Sequence, residues 1–339
     1  MSFNGLARQT SFKLFLRSAI ASSFVLPVAF LSSQLAAKAV ESPTDSQMVT
    51  IQFESSVGGE PFACGDTYRL GSADSLVTPL DFRFYVSEVA LMDAEGNAVP
   101  LVLEQDGLWQ HQNVALIDFE DKTGGCVNGT SQTRAQVVGA VPPGDYTGLK
   151  FTLGVPFALN HIDSTLAPSP LNLTSMWWNW NFGYKFARID FENVSDAAAS
   201  KHTAGSADNS SVDTGSTEAD SASGSDLSQA FAIHLGSVGC QMDSAQPPVS
   251  CSVPNRAEIV LTDFDPLQNV VVTDLAALLA ETNLSENQEG TAVGCMSSPE
   301  DGDCSGIMQN LGLPFGDRAT SEPTVAEPTV TEQTVFSVQ

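Results

Sequence analysis

Basic side chains are scarce in this 339-residue sequence: 14 Lys and Arg stand against 40 Asp and Glu, for a formal net charge of −26. Four of the basic residues, Arg8, Lys13, Arg17 and Lys38, lie in the first 39 positions, which carry no acid, so the rest of the chain has 10 against 40. So acidic a chain argues against nucleic acid and anionic membranes as partners, because both repel it. Histidine is rarer still, limited to His111, His161, His202 and His234. Neither a Gly-x-Ser-x-Gly elbow nor a His-Glu-x-x-His pair is present, which argues against hydrolysis. No Cys-x-x-Cys spacing supports a thiolate metal site. Beyond the N-terminal segment no run reaches the roughly 20 apolar residues of a spanning helix, so no stable membrane insertion is expected.

The N-terminus reads as an export signal over residues 1–39. Arg8, Lys13 and Arg17 supply a positive region, residues 18–31 an apolar one, and Ala37-Lys38-Ala39 a cleavage site before Val40. Periplasmic localisation follows, and an oxidising compartment turns the six cysteines toward disulfides. Sequence proximity and loop closure favour Cys64–Cys126, Cys240–Cys251 and Cys295–Cys304.

From Met48 onward the pattern is β. Residues 80–91 alternate Phe82, Phe84 and Val86 with Asp81, Arg83 and Tyr85, and Glu95-Gly96-Asn97 turns the chain into a return strand over 99–103. Residues 113–119 read as another strand, ending in an acidic cluster of Asp118, Glu120 and Asp121 that resembles a solvated strand end. Residues 137–141 and 146–153 flank Pro142-Pro143-Gly144-Asp145 as a further hairpin. Asp274 is an N-cap candidate for a short helix after a strand starting at Val270. Such a density of short strands and turns predicts an all-β, β-sandwich-like single domain over 40–318, with a short C-terminal helix and long loops. Residues 195–230 are nearly all Ser, Ala, Asp, Gly, Thr and Asn; they read as a disordered insertion, because they hold too little apolar area to offset ordering entropy. The acidic, Pro-punctuated residues 319–339 read as a disordered tail.

The segment from Gly154 to Phe191 holds three of the four tryptophans and one of the four histidines. As an extended strand it places Met176, Trp178 and Trp180 on one face. A second histidine, His234, ends an apolar lead-in just before a Gly-rich turn, where an imidazole needs a partner to be buried. His111 beside Trp109 reads as a surface residue, and His202 lies in the insertion.

These blocks carry a resemblance. Gly154-Val-Pro-Phe-Ala-Leu-Asn-His161, Ala167-Pro-Ser-Pro-Leu-Asn-Leu173, Met176 through Arg188-Ile-Asp190, and His234-Leu-Gly-Ser-Val-Gly-Cys240 are similar to the signature blocks of the MbnP-like proteins, also called metallo-mystery pair proteins with a four-Cys motif. Val57-Gly-Gly-Glu-Pro-Phe-Ala-Cys64, Arg83-Phe-Tyr-Val-Ser-Glu-Val, Leu116-Ile-Asp-Phe-Glu-Asp and Gly144-Asp-Tyr-Thr-Gly-Leu agree, so the similarity spans nearly all of 49–313. It implies a periplasmic protein that binds one copper ion through two histidines. It also implies a tryptophan oxidised to kynurenine by a di-haem cytochrome c peroxidase-like partner of the MauG type.

On these residues the expected metal pair is His161 with His234, since imidazole suits both oxidation states of copper, and the modified residue is Trp178 or Trp180. The expected role is copper acquisition or handling rather than catalysis, with a copper importer as a further partner. A mononuclear copper oxidase and a metal-free β-sandwich that binds its ligand on the Trp run are the competing functions.

Overall fold

The computed structural model describes residues 46–179, 181–194, 230–241, 247–316 and 332–339. These belong to one compact unit, 43–339. The export signal, Trp180, His202, the insertion short of Ala230, and 319–331 of the expected tail lie outside the described residues.

Two sheets face each other, as the short alternating strands require. The smaller runs Phe336–Val338, Val270–Asp274, Gln47–Val57, Gln136–Val141, Val102–Leu103, with Glu60–Pro61 paired to the end of Gln47–Val57. The larger runs Ala230–Leu235, Ala187–Asn193, Ser75–Asp93, Tyr146–Leu153, Ala257–Thr262, with shorter strands attached to the 19-residue Ser75–Asp93 strand. The core lies between them. Phe84 packs edge-on against Phe53 and Phe336, at ring-centroid distances of 6.2 and 5.8 Å, and Phe336 meets Phe151 at 5.3 Å. Such pairs add to the area term of burying each ring.

The fold is all-β with short helices, as expected, and Asp274 caps helix Leu275–Leu279 by accepting from the Ala276 amide at 2.9 Å. The three disulfides join Cys64 to Cys126, Cys240 to Cys251 and Cys295 to Cys304. Other expectations change. Gln136–Val141 and Tyr146–Leu153 are not a hairpin: the first pairs with Gln47–Val57 and the second with Ser75–Asp93, in different sheets. The intervening Pro142-Pro143 offers no backbone donors for a tight turn, and the chain uses it to cross the sandwich. Residues 332–339 do not end in a loose tail, because Phe336–Val338 pairs antiparallel with Val270–Asp274 and Phe336 is buried in the core.

The long strand is buried on both faces from Asp81 to Ser87. Phe82, Phe84 and Val86 face the other sheet. The opposite, polar face is roofed by the segment that carries the tryptophans: Tyr85 donates to the Pro170 carbonyl at 2.9 Å, Ser87 to that of Gly154 at 2.7 Å, and Arg83 reaches Ser175 Oγ at 3.3 Å. That roof positions the candidate site.

Candidate metal centre

Strand register lines up four ionisable residues across the roofed face. Asp118 lies opposite Arg83, Arg83 opposite Arg188, and Arg188 opposite His234. Paired residues of neighbouring strands share a face, so these side chains form one row. In the next row Asp81 lies opposite Asp190. Arg83 chelates Asp81, Arg188 Nε bridges Asp81 at 3.1 Å and Asp190 at 2.8 Å, and Asp190 Oδ1 meets His234 Nε2 at 2.9 Å. Burying such charges is tolerable only because each acid faces a cation or donor. Asp118 and Glu120 are fully buried rather than the solvated strand end expected, since Arg83 opposite Asp118 gives the row a place for acid.

Burial shapes the charges along this face. It would raise the Asp190 carboxyl, but the hydrogen bond and charge of His234, with the Arg188 guanidinium, hold it below the usual range. Asp118 has weaker compensation: burial pushes it up to about 7 against the pull of Arg83. Lys185 is pushed down to about 8 by burial and by the neighbouring Arg188 charge, and its Nζ donates to the Ser175 carbonyl at 3.1 Å.

His234 stands at the end of the row beside Trp178, with ring centroids 6.3 Å apart. The expected continuous strand through the tryptophans is shorter: Thr174–Met176 is a 3-10 turn, and only Trp177–Asn179 is extended. Met176 is therefore turned into the core, while Trp178 lines an open cavity of about 700 Å³ with Phe182, Val238, Val253 and Met296. Gly236 has no side chain for a reason, since a Cβ there would collide with the Trp178 ring edge and the Tyr184 carbonyl.

Met296 is the residue that sequence reasoning missed. Its neighbours tie it to His234: the His234 amide donates to the Cys295 carbonyl, and Ser297 Oγ donates to the His234 carbonyl, both at 2.9 Å. The thioether thus sits in the wall of the Trp178 cavity, alongside the His234 strand. Its only sequence signal was adjacency to Cys295.

His161 is placed elsewhere in the same region. It follows the short helix Phe157–Asn160 and is buried, with Nε2 at 3.5 Å from Cys251 Sγ and 3.3 Å from Asn160 Nδ2. Asn160 also accepts from the Tyr184 amide at 2.9 Å and reaches Ser237 Oγ at 3.5 Å, linking this helix to the turn that follows His234. The two imidazoles therefore have different immediate neighbours: Asp190 and Trp178 for His234, the Cys240–Cys251 disulfide for His161. His111 is half-buried in strand Gln110–His111, beside Gln112.

The sequence model of the MbnP family matches residues 46–297, the span that contains every site residue above and both sheets apart from the strand Phe336–Val338. The chain belongs to the MbnP family. MbnP from Methylosinus trichosporium has a similar structure, with a TM-score of 0.67, at 28% sequence identity over 87% of this chain and 98% of that one. No curated protein matches the sequence. Three disulfides fit an exported MbnP protein, and among the described residues no helix is long and apolar enough to cross a membrane.

The donors present fit a copper ion. Because Asp190 is held ionised it can only accept, so His234 donates from Nε2, and in its neutral form the imidazole keeps the Nδ1 lone pair for a metal. A carboxylate behind an imidazole in this way fixes ring orientation and raises ligand basicity. Imidazole and thioether are both donors suited to copper, and to Cu(I) in particular.

Proposed function

We propose that this protein binds a single copper ion at the Trp178 cavity in the periplasm and serves copper acquisition or handling rather than catalysis. The observation that supports it most is the Asp190–His234 pair beside Trp178. His234 is the anchoring imidazole. The second donor read from the sequence is His161; the cavity favours a second reading, in which the Met296 thioether completes the pair and His161 belongs to the disulfide side.

Trp178 is the residue for oxidation to kynurenine by a di-haem cytochrome c peroxidase-like partner. It is half-buried at an open cavity, so a partner's face can approach it, and its ring neighbours His234. Kynurenine exposes an aryl amine and a ketone where the indole offered one N–H donor, which adds polar groups to a mostly apolar wall. A copper importer is the expected acceptor downstream.

Copper content after anaerobic loading tests the reading. About one copper per chain is expected, lost in His234→Ala. Loss in Met296→Ala with retention in His161→Ala supports the thioether reading, and the reverse supports the two-histidine one. Copper-dependent substrate turnover would favour an oxidase, and an absence of copper binding, with a ligand seated on Trp178, a metal-free binding protein.

A further inference from the structure

The three disulfides differ in how they sit. Cys64, Cys126, Cys295 and Cys304 are fully buried, whereas Cys240 and Cys251 are half-exposed. A reducing thiolate must reach a disulfide sulfur, so access selects the third bond. Cys240 and Cys251 lie directly opposite each other in a two-stranded ribbon, Val238–Cys240 against Cys251–Val253. That ribbon does not depend on the disulfide alone. Val238 pairs with Val253, the Gln241 amide donates to the Ser250 carbonyl at 2.9 Å, and Ser237 Oγ donates to the Pro254 carbonyl at 2.9 Å. Cutting the S–S bond therefore leaves both sulfurs facing the same place.

That place holds His161. Its ring and the sulfurs of Cys240 and Cys251 present donor atoms within 4.8 Å of one another, with Nε2 only 3.5 Å from Cys251 Sγ. His161 itself is held by the Asn160 contact and by the Phe157 ring, 5.0 Å away between centroids. Metal–sulfur bonds of about 2.3 Å and metal–nitrogen bonds of about 2.0 Å fit inside a triangle of that size once the sulfurs separate. Two thiolates and an imidazole are soft donors that favour Cu(I) or another thiophilic ion over hard cations.

We propose that His161, Cys240 and Cys251 form a second, redox-gated metal site: closed as the disulfide, and open to one thiophilic ion of the Cu(I) class when the disulfide is reduced. The reductant is a dithiol. Two electrons and two protons pass from it to the S–S bond, giving two cysteine thiols and the oxidised, disulfide form of the reductant. Metal binding then releases the thiol protons to solvent and leaves the oxidation state of the ion unchanged. The same ribbon lines the Trp178 cavity through Val238, Gly239, Ser252 and Val253. Opening the bond thus acts on the wall of the first site while creating the second. The inference does not depend on what occupies the Trp178 cavity, because its signal is the difference between oxidised and reduced protein.

The test is limited reduction of the full mature chain with a dithiol, removal of the reductant without oxygen, and titration with Cu(I) against a colorimetric Cu(I) chelator. Thiol alkylation and peptide mapping are expected to find only Cys240 and Cys251 labelled. Reduced protein is expected to take up about one more Cu(I) than oxidised protein, with thiolate-to-copper charge-transfer absorption. The increment should vanish in C240S/C251S and weaken at least tenfold in His161→Gln. Labelling of the buried cysteines first, no increment on reduction, or an increment indifferent to both variants would each overturn the proposal.

Discussion

Asp190 Oδ1 accepts a 2.9 Å hydrogen bond from His234 Nε2, and the same carboxylate takes Arg188 Nε at 2.8 Å on its other oxygen. The carboxylate is thereby shared between the row of buried charges and the imidazole at its end. Whatever fixes Asp190 fixes the direction of the His234 Nδ1 lone pair.

Asp190→Asn tests that dependence. The amide can still occupy the space but no longer requires a proton on Nε2, so the tautomer and the ring orientation are released. Copper affinity is expected to fall roughly 10- to 100-fold with the far-ultraviolet spectrum unchanged. Affinity equal to that of the parent chain in chelator competition would show that the pair does not serve the metal.

Gly236→Ala addresses Trp178 without touching a donor atom. The added methyl cannot coexist with the present position of the indole, so Trp178 must shift toward solvent or the turn must move. Partner-dependent oxidation, read by mass spectrometry as the exchange of one indole carbon for one oxygen, is expected to drop, and tryptophan emission to move to longer wavelength. Unchanged oxidation and emission would mean that the close fit is not required.

The raised Asp118 carboxyl sets a pH dependence. Unfolded, the group titrates near an ordinary aspartate; folded, burial holds its proton up to about pH 7. Between about pH 4 and 7 the native state therefore binds the extra proton, and this group makes stability fall as pH rises, by up to about 1.4 kcal/mol per pH unit. Glu120, raised mainly by burial, acts in the same direction. Asp118→Asn removes the Asp118 contribution, so thermal melts at pH 5 and pH 8 should differ less in the variant than in the parent. Parallel curves would contradict the assignment.

Phe336 ties the C-terminal strand to the core through Phe84 and Phe151. Phe336→Ala is expected to cost about 3–5 kcal/mol in denaturant unfolding, as for other buried Phe truncations. A cost below about 1 kcal/mol would place residues 332–339 outside the cooperative fold.

Much of the scaffold was legible because its signals are local. Alternation marked the long strand over 80–91, Asp274 marked a helix start, and cysteine proximity marked three disulfides. The hairpin across Pro142 and Pro143 was misread because a turn signal says that the chain reverses, not which sheet receives the next strand. The row from Asp118 through Arg83 and Arg188 to His234 was hidden for a related reason: it exists only through pairing between strands far apart in sequence. Buried Asp118 looks solvated until Arg83 is placed opposite it, and Met296 looks like filler until Cys295 and Ser297 are bonded to the His234 strand. The C-terminal strand follows an acidic stretch whose composition masked it.

The account rests on a copper ion held by His234 next to Trp178. An anomalous difference map at the copper edge, from crystals of the copper-loaded protein, measures this directly. A single strong peak within bonding distance of His234 Nδ1, in the cavity lined by Trp178 and Met296, is the predicted result. A peak remote from His234, or no peak in protein shown to be fully loaded at another site, contradicts it.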